Sequence, residues 1–326
     1  MKAAIVGCGL IGAKRAKAFG GSVTVCCDLN ESRAAALAKQ YGARCTADWR
    51  DAVADPDVDV VFVATTHDVL PVIAKAAASN GKHVLMEKPG ARRARELDAV
   101  TAAAGRTGAL IRIGFNHRYH RVFRKAREIF DSGALGELMF IRARYGHGGR
   151  IGYDKEWRAI PAVSGGGEGI DQGMHLVDLA RWFLGDFSTI EGHAATYFWN
   201  MPVDDNSFYL LRTAANQTAF LHASCTEWKN TFSFEIYGRN SKLDISGLGG
   251  SYGVERIAWY RMLPEMGPPE TTIFEYPMAD DSWETEWQEF ETDIRTGREP
   301  QPGIKDAQAA LRVIEEIYRR SGMEIQ

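Results

Sequence analysis

The segment "GCGLIG" places Gly7, Gly9 and Gly12 directly after a short apolar run and at the start of a helical pattern. Glycines at this spacing allow a tight turn, close approach of the backbone to a pyrophosphate, and packing of helix against strand. The amino end of the helix, from Leu10 and Ile11, then faces the anion. The segment therefore predicts a dinucleotide-binding strand–turn–helix unit.

Five apolar runs in the first part of the chain alternate with Ala-rich helical stretches. The runs cover 3–6, 22–28, 58–65, 82–87 and 109–114, and the helical stretches cover 31–41, 69–79 and 92–104. Continuous apolar strands joined by crossover helices are typical of a parallel, doubly wound sheet. We therefore expect an α/β fold that begins with a Rossmann domain over residues 1–118.

The pattern changes in the remaining residues, 119–326. A helix over 119–131 and a glycine-rich loop leading into a helix over 165–184 precede a series of strands. The run "FSFEIYG" alternates apolar Phe232, Phe234 and Ile236 with more polar neighbours, which is the period of a sheet with two unlike faces. This half predicts an α+β domain with a large, mostly antiparallel open sheet, and two helices over 283–296 and 304–320 end the chain.

Asp28 ends the second strand, about 20 residues after the glycines, where an acid accepts hydrogen bonds from the adenosine ribose. A carboxylate repels a 2′-phosphate, and Leu29 and Asn30 supply no arginine to bind one. NAD is therefore favoured over NADP, although Arg33 stands close in sequence.

The stretch "MEKPGARRA" ends a strand on Glu87 and Lys88 and continues with Pro89. A residue before proline is restricted to extended conformations. In an open parallel sheet, ligands bind at the carboxyl ends of the strands, so we expect Lys88 to point toward the nicotinamide. The alternative is a solvated loop lysine.

Asp171, His175 and Asp178 follow the glycine-rich loop at spacings that place them on one helix face. His175 is suited to proton transfer near neutral pH, and Asp178 to fixing its tautomer. Two alternatives are buried polar groups with a purely structural role and a metal site. We expect no metal, because no Cys or second His stands nearby.

Composition excludes several classes of function. A formal net charge of −3 in 326 residues gives no field that would gather nucleic acid. No apolar run is long enough for a membrane span. The first strand is expected to begin near Lys2, which leaves no room for a signal peptide and favours a cytoplasmic protein. The five cysteines are odd in number and lack metal-site spacing, which favours buried free thiols.

Four motifs together resemble the Gfo/Idh/MocA oxidoreductase family. They are "GCGLIG", Glu87-Lys88-Pro89, "GFNHRY" over 114–119 and "DQGMH" over 171–175. The resemblance implies nicotinamide-dependent oxidation or reduction of a secondary hydroxyl of a sugar, sugar derivative, nucleotide sugar or cyclitol. It also implies a homodimer or homotetramer formed through the C-terminal sheet.

The resemblance also implies roles for single residues. Lys88 would sit between nicotinamide and substrate, His175 would be the general acid/base, and Asp171 would orient the reacting hydroxyl. Further cofactor contacts are expected at Thr65, Thr66, His67, Glu87 and Asn116. Further substrate contacts are expected at Tyr119, Trp157 and Arg158.

Several alternatives remain open from the sequence. Six arginines either include some that bind a phosphate or carboxylate of the substrate or form a solvated or subunit-contact surface: Arg118, Arg121, Arg142, Arg144, Arg150 and Arg158. Trp199 and Trp228 either stack on a sugar ring or pack on the sheet. The same scaffold would also suit a redox-neutral glycosidase that oxidises its sugar transiently with NAD, or a non-catalytic NAD-sensing regulator.

Overall fold

The computed structural model describes residues 1–265 and 267–323, which form two compact units. The first unit comprises Met1–Phe115, Val163–Gly165 and Trp283–Leu311. The second comprises residues 116–162 and 166–282 and the described chain from Arg312 onward. The sequence suggested one boundary, after residue 118, whereas by contacts two later segments return to the first unit.

The first unit contains a parallel six-stranded sheet in the order β3-β2-β1-β4-β5-β6. The strands are β1 (Lys2–Val6), β2 (Ser22–Cys27), β3 (Arg44–Thr46), β4 (Val60–Val63), β5 (His83–Glu87) and β6 (Ile111–Gly114). The predicted doubly wound Rossmann sheet is confirmed. The sequence did not predict β3, because its three residues are mostly exposed and form no apolar run.

The α-helices of the chain are α1 (Leu10–Phe19), α2 (Glu31–Tyr41), α3 (Trp49–Ala54), α4 (Leu70–Ser79), α5 (Asp98–Thr107), α6 (Arg121–Asp131), α7 (Pro161–Ser164), α8 (Met174–Leu184), α9 (Ser282–Thr296) and α10 (Ile304–Arg320). Local signals explain their ends. The side chain of Asn30 accepts hydrogen bonds from the first backbone amides of α2, and Gly42 ends that helix in the left-handed conformation.

Aromatic side chains hold the core of the first unit together. Phe19 from α1, Phe62 from β4 and Trp287 from α9 contact one another, with ring centroids between 4.9 and 5.5 Å apart. Phe290, one turn further along α9, is fully buried in the same cluster. Helix α9 is therefore a structural part of the nucleotide-binding unit, although it begins about 170 residues after β6 ends.

The second unit contains an eight-stranded sheet in the order β14-β13-β12-β11-β7-β10-β9-β8. Its strands are β7 (Leu138–Gly146), β8 (Phe187–Ala195), β9 (Asn206–Thr213), β10 (Thr218–Ser224), β11 (Thr231–Gly238), β12 (Ser241–Ser246), β13 (Glu255–Arg261) and β14 (Glu270–Tyr276). Only β7 and β10 pair in parallel among these described strands, so the predicted mostly antiparallel sheet is confirmed.

One face of this sheet is covered and the other is exposed. Phe123 of α6 contacts Phe232 and Phe234 of β11, and Phe183 of α8 also contacts Phe234. The alternation predicted for β11 is confirmed, since Phe232, Phe234 and Ile236 are buried. Large apolar side chains remain exposed elsewhere on the sheet strands: Met139, Phe140, Leu210, Phe220 and Ile273.

Replacing Phe290 by alanine should lower the free energy of unfolding by about 3–5 kcal/mol, because the change leaves a cavity in the aromatic cluster. The matched control is Phe198→Ala, since the Phe198 side chain is 54% exposed and its loss should cost less than about 1 kcal/mol. Urea unfolding measures both values. Equal losses in the two variants would contradict the assignment of α9 to this core.

Candidate active site

The glycine loop between β1 and α1 has no room for side chains at two of its three glycines. Gly7 has a φ of +93°, and a Cβ there would lie 2.3 Å from the carbonyl oxygen of Ala64. A Cβ on Gly12 would lie 1.8 Å from the carbonyl oxygen of Gly7. Among the described residues, no heavy atom lies within 4 Å of a Cβ built on Gly9. Gly9 therefore borders open space, as close approach of a pyrophosphate requires.

The start of α1 supplies the groups that would bind this anion. Leu10 and Ile11 are its first residues, and the first backbone amides of a helix have no intrahelical acceptor. The aligned peptide dipoles add partial positive charge at the same end. These amides and the open space at Gly9 fit a dinucleotide, and Leu10, which is 75% exposed, leaves the approach clear.

Asp28 lies beside the glycine loop. One of its carboxylate oxygens accepts a hydrogen bond of 2.8 Å from the backbone amide of Cys8, and the other accepts one of 2.8 Å from the amide of Asn30. These bonds hold the half-buried carboxylate next to the glycine turn. That is the position from which an acid binds the adenosine ribose.

The segment after β4 carries three predicted cofactor contacts. The hydroxyl of Thr66 donates to the carboxylate of Asp68 at 2.6 Å, and Nδ1 of the buried His67 lies 2.8 Å from the carbonyl oxygen of Ser164. Thr65 directly precedes them. These bonds shape the segment, and cofactor contacts at Thr65, Thr66 and His67 stay predictions.

Lys88 directly follows β5 and is half-buried. Because β1, β4 and β5 are parallel neighbours, their carboxyl ends share one edge of the sheet. Lys88 therefore lies at the same edge of the sheet as the glycine loop, and its orientation toward the nicotinamide stays a prediction. The Lys88–Pro89 peptide bond is cis.

Glu87 pairs with a residue that the sequence did not single out. Its carboxylate accepts a hydrogen bond of 2.6 Å from Nε of Arg15, and Arg15 also donates to Glu286 of α9. Arg15 is only 1% exposed, and a Cβ on Gly114 would lie 2.5 Å from its guanidinium. Glu87 thus anchors the end of β5 to α1 and α9. A direct cofactor contact from it stays a prediction.

The glycine-rich loop of the second unit is held by Asp204. Its carboxylate accepts hydrogen bonds from the backbone amides of Gly167 and Gly169, at 2.8 and 2.7 Å, and from the hydroxyl of Tyr318 at 2.6 Å. A Cβ on Gly167 would lie 1.8 Å from the carbonyl oxygen of Asp204. Burial raises the pKa of Asp204, opposed by these hydrogen bonds. The sequence analysis missed this anchor.

Asp171 lies in a π-helical turn, Gly169–Gly173, rather than in α8 itself. The predicted continuous helix is therefore wound more loosely at its start, a feature found often at functional sites. Asp171 is buried, and Nε of Arg158 donates to its carboxylate at 2.8 Å. The charge of Asp171 raises the pKa of Arg158. The guanidinium of Arg158 also lies 4.5 Å from the centre of the Trp157 ring.

His175 is 4% exposed and lies in the first turn of α8. Its ring stacks on that of His117, with centroids 3.6 Å apart and an angle of 15° between the planes. His117 belongs to the turn Asn116–Tyr119, which also contains the buried Tyr119. The structure thus brings His175 and Tyr119 into the same unit as Asp171, and it adds His117.

Asp178, one turn after His175, is held by an arginine. Nε and Nη2 of Arg118 donate to its two carboxylate oxygens at 2.8 and 2.6 Å. This bidentate pair is almost fully buried. The predicted effect of Asp178 on the tautomer of His175 stays a prediction.

Asn116, a predicted cofactor contact, joins the same turn to α9. Its amide nitrogen donates to the hydroxyl of Ser282 at 3.1 Å, and its amide oxygen lies 3.1 Å from Nδ1 of His117. The amide therefore fixes one side of the His117 ring. Contact of Asn116 with the cofactor stays a prediction.

Burial and a nearby carboxylate shift the pKa values of several side chains in the second unit. Glu168 accepts a hydrogen bond of 2.7 Å from the Tyr153 hydroxyl. Burial lowers the pKa of His147, but the nearby Glu168 carboxylate outweighs it and the net shift is upward. Burial also raises the pKa of Tyr145, and that of Tyr252 to about 12. These tyrosines therefore stay neutral hydrogen-bonding groups at physiological pH.

The other arginines considered for phosphate binding are paired with carboxylates. Arg142 pairs with Glu235, Arg121 with Asp281 and Arg150 with Glu156, while Arg144 lies 3.8 Å from Glu227. Their charges are already compensated within the chain.

The described part of the chain contains neither a cluster of metal ligands nor a helix suited to span a membrane. Across residues 1–265 and 267–323, no group of three or more His, Cys, Asp or Glu side chains is arranged to bind a metal ion. Within the same ranges, no helix combines the length and apolar character of a membrane span.

Two family models match the chain. The model described as "Oxidoreductase family, NAD-binding Rossmann fold" matches residues 1–115, and the GFO/IDH/MocA C-terminal domain model matches residues 123–244. The chain belongs to the Gfo/Idh/MocA oxidoreductase family. The recognition made from the four motifs is confirmed, and the first unit is the NAD-binding Rossmann domain of this family.

Individual relatives are more distant. The chain is 30% identical over 192 residues to levoglucosan dehydrogenase of Pseudarthrobacter phenanthrenivorans, which covers 58% of this chain and 49% of that protein. It is 28% identical over 200 residues to inositol 2-dehydrogenase of Salmonella typhimurium, covering 59% and 57%. The chain thus aligns with about half of the length of these relatives.

A solved structure extends the likeness of fold to the whole chain. Levoglucosan dehydrogenase in complex with NADH superposes with a TM-score of 0.88 at 22% identity, covering 100% of this chain and 99% of that one. The fold of both sheets of this chain therefore also occurs in that solved structure.

Replacing Asp28 by alanine should weaken NAD binding and relax the preference against NADP by about tenfold, because the change removes charge-assisted hydrogen bonds and a repelling carboxylate. Isothermal titration with NAD and NADP measures the ratio of the two dissociation constants. Asp57→Ala is the control, since the Asp57 side chain is 72% exposed. An unchanged ratio in Asp28→Ala would remove Asp28 from cofactor selection.

Proposed function

We propose that this protein is an NAD-dependent dehydrogenase or ketoreductase that acts on a secondary hydroxyl of a sugar-like molecule. The observation that carries the proposal is the buried cluster of the second unit. There His175 lies one helical turn after Asp171, and Asp171 is ion-paired with Arg158. A proton acceptor and hydroxyl-binding groups thus occur together in a chain whose other unit is an NAD-binding domain.

The residues divide the chemistry of alcohol oxidation between them. The imidazole of His175 takes the hydroxyl proton, and the ammonium of Lys88 stabilises the alkoxide charge that develops as the proton leaves. Asp171 orients the reacting hydroxyl by accepting a hydrogen bond from a neighbouring hydroxyl of the substrate. NAD, when bound, supplies the nicotinamide that accepts the hydride. The same groups act in reverse during ketone reduction.

The substrate class is proposed from the relatives and from the side chains around Asp171. Levoglucosan and inositol, which name two of the relatives, both carry several hydroxyl groups. Arg158 and Trp157 offer this chain a fork of hydrogen-bond donors next to an aromatic ring, and Tyr119 adds a phenol. Donors beside an aromatic face suit a sugar, a sugar derivative, a nucleotide sugar or a cyclitol.

We also propose that the protein is cytoplasmic and forms a homodimer or homotetramer through the C-terminal sheet. Five large apolar side chains are exposed on strands of this sheet: Met139, Phe140, Leu210, Phe220 and Ile273. Exposed apolar patches of this kind commonly mark subunit contacts. On this proposal residues 1–118 bind NAD, and residues 119–326 bind substrate and the partner subunit.

A charged substitution tests the proposed subunit contact. Phe220→Glu should convert the oligomer to monomers, because burying a carboxylate in an apolar interface removes its hydration at a large cost in free energy. Light scattering coupled to gel filtration gives the mass of each species. Tyr197→Glu is the control, since Tyr197 is 66% exposed and lies outside the sheet strands. A wild-type protein that is already monomeric would contradict the proposed assembly.

The function itself is tested by following NADH formation with a panel of sugars, cyclitols, glycosides and nucleotide sugars. Net NADH with one of these substrates supports the proposed dehydrogenase. Release of an aglycone without net NADH would instead identify the redox-neutral glycosidase. NAD binding without turnover on any substrate of these classes would favour the regulator.

Lys88→Ala and His175→Ala should each lower turnover by about 10²- to 10⁴-fold, since each removes one partner of proton transfer or charge stabilisation. Both variants should still bind NAD. The controls are Lys75→Ala and His193→Ala, which replace exposed residues of the same types. Wild-type turnover in either active-site variant would overturn the role given to that residue.

A further inference from the structure

The turn Asn116–Tyr119 contacts α8 through two consecutive side chains. His117 stacks on His175 at a centroid distance of 3.6 Å, and Arg118 forms its bidentate pair with Asp178. His175 and Asp178 are separated by about one helical turn. This short turn therefore contacts α8 at the proposed proton acceptor, His175, and again about one helical turn later, at Asp178.

His117 is itself held in place from several directions. Its Nδ1 lies 3.1 Å from the amide oxygen of Asn116. The nitrogen of that amide lies 3.1 Å from the hydroxyl of Ser282, so the amide links the His117 ring to Ser282. The rings of His120 and Tyr145 lie 5.4 and 5.3 Å from the His117 ring, the former edge-on at 89°. These contacts orient the His117 ring independently of its stacking on His175.

We propose that His117 is the positioning residue for the general acid/base: its ring face sets the plane of the His175 imidazole. This inference rests on the proposed function, in which His175 takes the hydroxyl proton. His117 acts through His175 and needs no contact with the substrate. In the sequence, His117 is part of the motif "GFNHRY", and this motif does not assign it a role in positioning His175.

The physical need for such a residue follows from the geometry of histidine. The last torsion of a histidine side chain is broad, so rotamer preference alone leaves the ring plane poorly defined. Proton transfer requires the imidazole nitrogen to stay within about 10–20° of the productive direction. A flat ring stacked at 3.6 Å restricts rotation of His175 about this torsion.

Several ionisable groups lie next to the two histidines or to their direct neighbours. They are Arg118 from the same turn, His120 with its partner Glu255, Tyr145 from β7, Tyr252, and Asp171 and Asp178 on either side of His175. The proposal gives the His117 ring a geometric role and no share in the titration of His175. A ring that cannot ionise should therefore replace it.

The decisive comparison is between His117→Phe and His117→Leu. Both are apolar and of similar volume, but only phenylalanine offers a flat face. We expect His117→Leu to lower kcat by about 10- to 100-fold, with the dissociation constant for NAD unchanged. His117→Phe should keep kcat within about threefold of wild type, and the pH profile of kcat/KM should keep its midpoint.

Each other outcome overturns the inference. Equal losses in both variants would mean that the hydrogen bond to Asn116 matters and the ring face does not. A shifted pH profile in His117→Phe would mean that His117 shares the titrating proton. Wild-type kcat in His117→Leu would remove any role in turnover. Thermal melting of both variants, expected to agree within about 3 °C for changes of this size, checks that the comparison is made between folded proteins.

A double mutant separates this inference from the proposed function. If His117 acts through His175, adding His117→Leu to His175→Ala should cause no further loss of turnover. A further tenfold loss would contradict the positioning role while leaving the base role of His175 intact. Full activity of His175→Ala alone would instead contradict the proposed function.

Discussion

The close approach of backbone to backbone at the glycine loop is the constraint on which the nucleotide-binding unit depends. Neither Gly7 nor Gly12 tolerates a Cβ, because strand β4 and the loop itself occupy the space. This contact places the amino end of α1 against the sheet edge where β1, β4 and β5 end. The same edge also carries Asp28, directly after β2, and Lys88, directly after β5, so the packing of one turn helps to place these proposed cofactor-binding groups.

Buried charges hold the neighbouring elements in register with this edge. Arg15 of α1 reaches Glu87 at the end of β5 and Glu286 in α9. Removing Arg15 would leave two buried carboxylates without this cation, which is strongly destabilising. Asp204 has a comparable role in the second unit. Its carboxylate accepts hydrogen bonds from two backbone amides of the glycine-rich loop and from the Tyr318 hydroxyl. In both units, the segment that carries functional residues is anchored by a carboxylate.

Local patterns predicted a large part of this structure. Apolar runs joined by helical stretches predicted the Rossmann sheet, and the alternation in β11 predicted the two unlike faces of the second sheet. Both depend only on neighbouring residues. Strand β3 was missed because three exposed residues carry no such signal, and the π-helical turn around Asp171 was missed because its winding depends on contacts with Asp204 and Tyr318.

The anchoring residues could not be predicted for a related reason. Arg15 bonds to partners 72 and 271 residues away, and Asp204 to one 114 residues away. An arginine in α1 or an aspartate before β9 looks like a surface residue until the fold brings its partner close. His117 lay inside a motif that was noticed, but its stacking on His175, 58 positions later, appears only in three dimensions.

Gly9 offers the most direct measurement of the central claim that the glycine loop binds the pyrophosphate of NAD. Its backbone is in an ordinary extended conformation, with φ −75° and ψ −164°, and a side chain there would meet no heavy atom of the described protein within 4 Å. Gly9→Val should therefore fold with an unchanged melting temperature. Its dissociation constant for NAD, measured by isothermal titration, should rise by about 10- to 100-fold, since charge-assisted bonds to the pyrophosphate are lost. A folded Gly9→Val protein that binds NAD as tightly as the wild type would contradict the account.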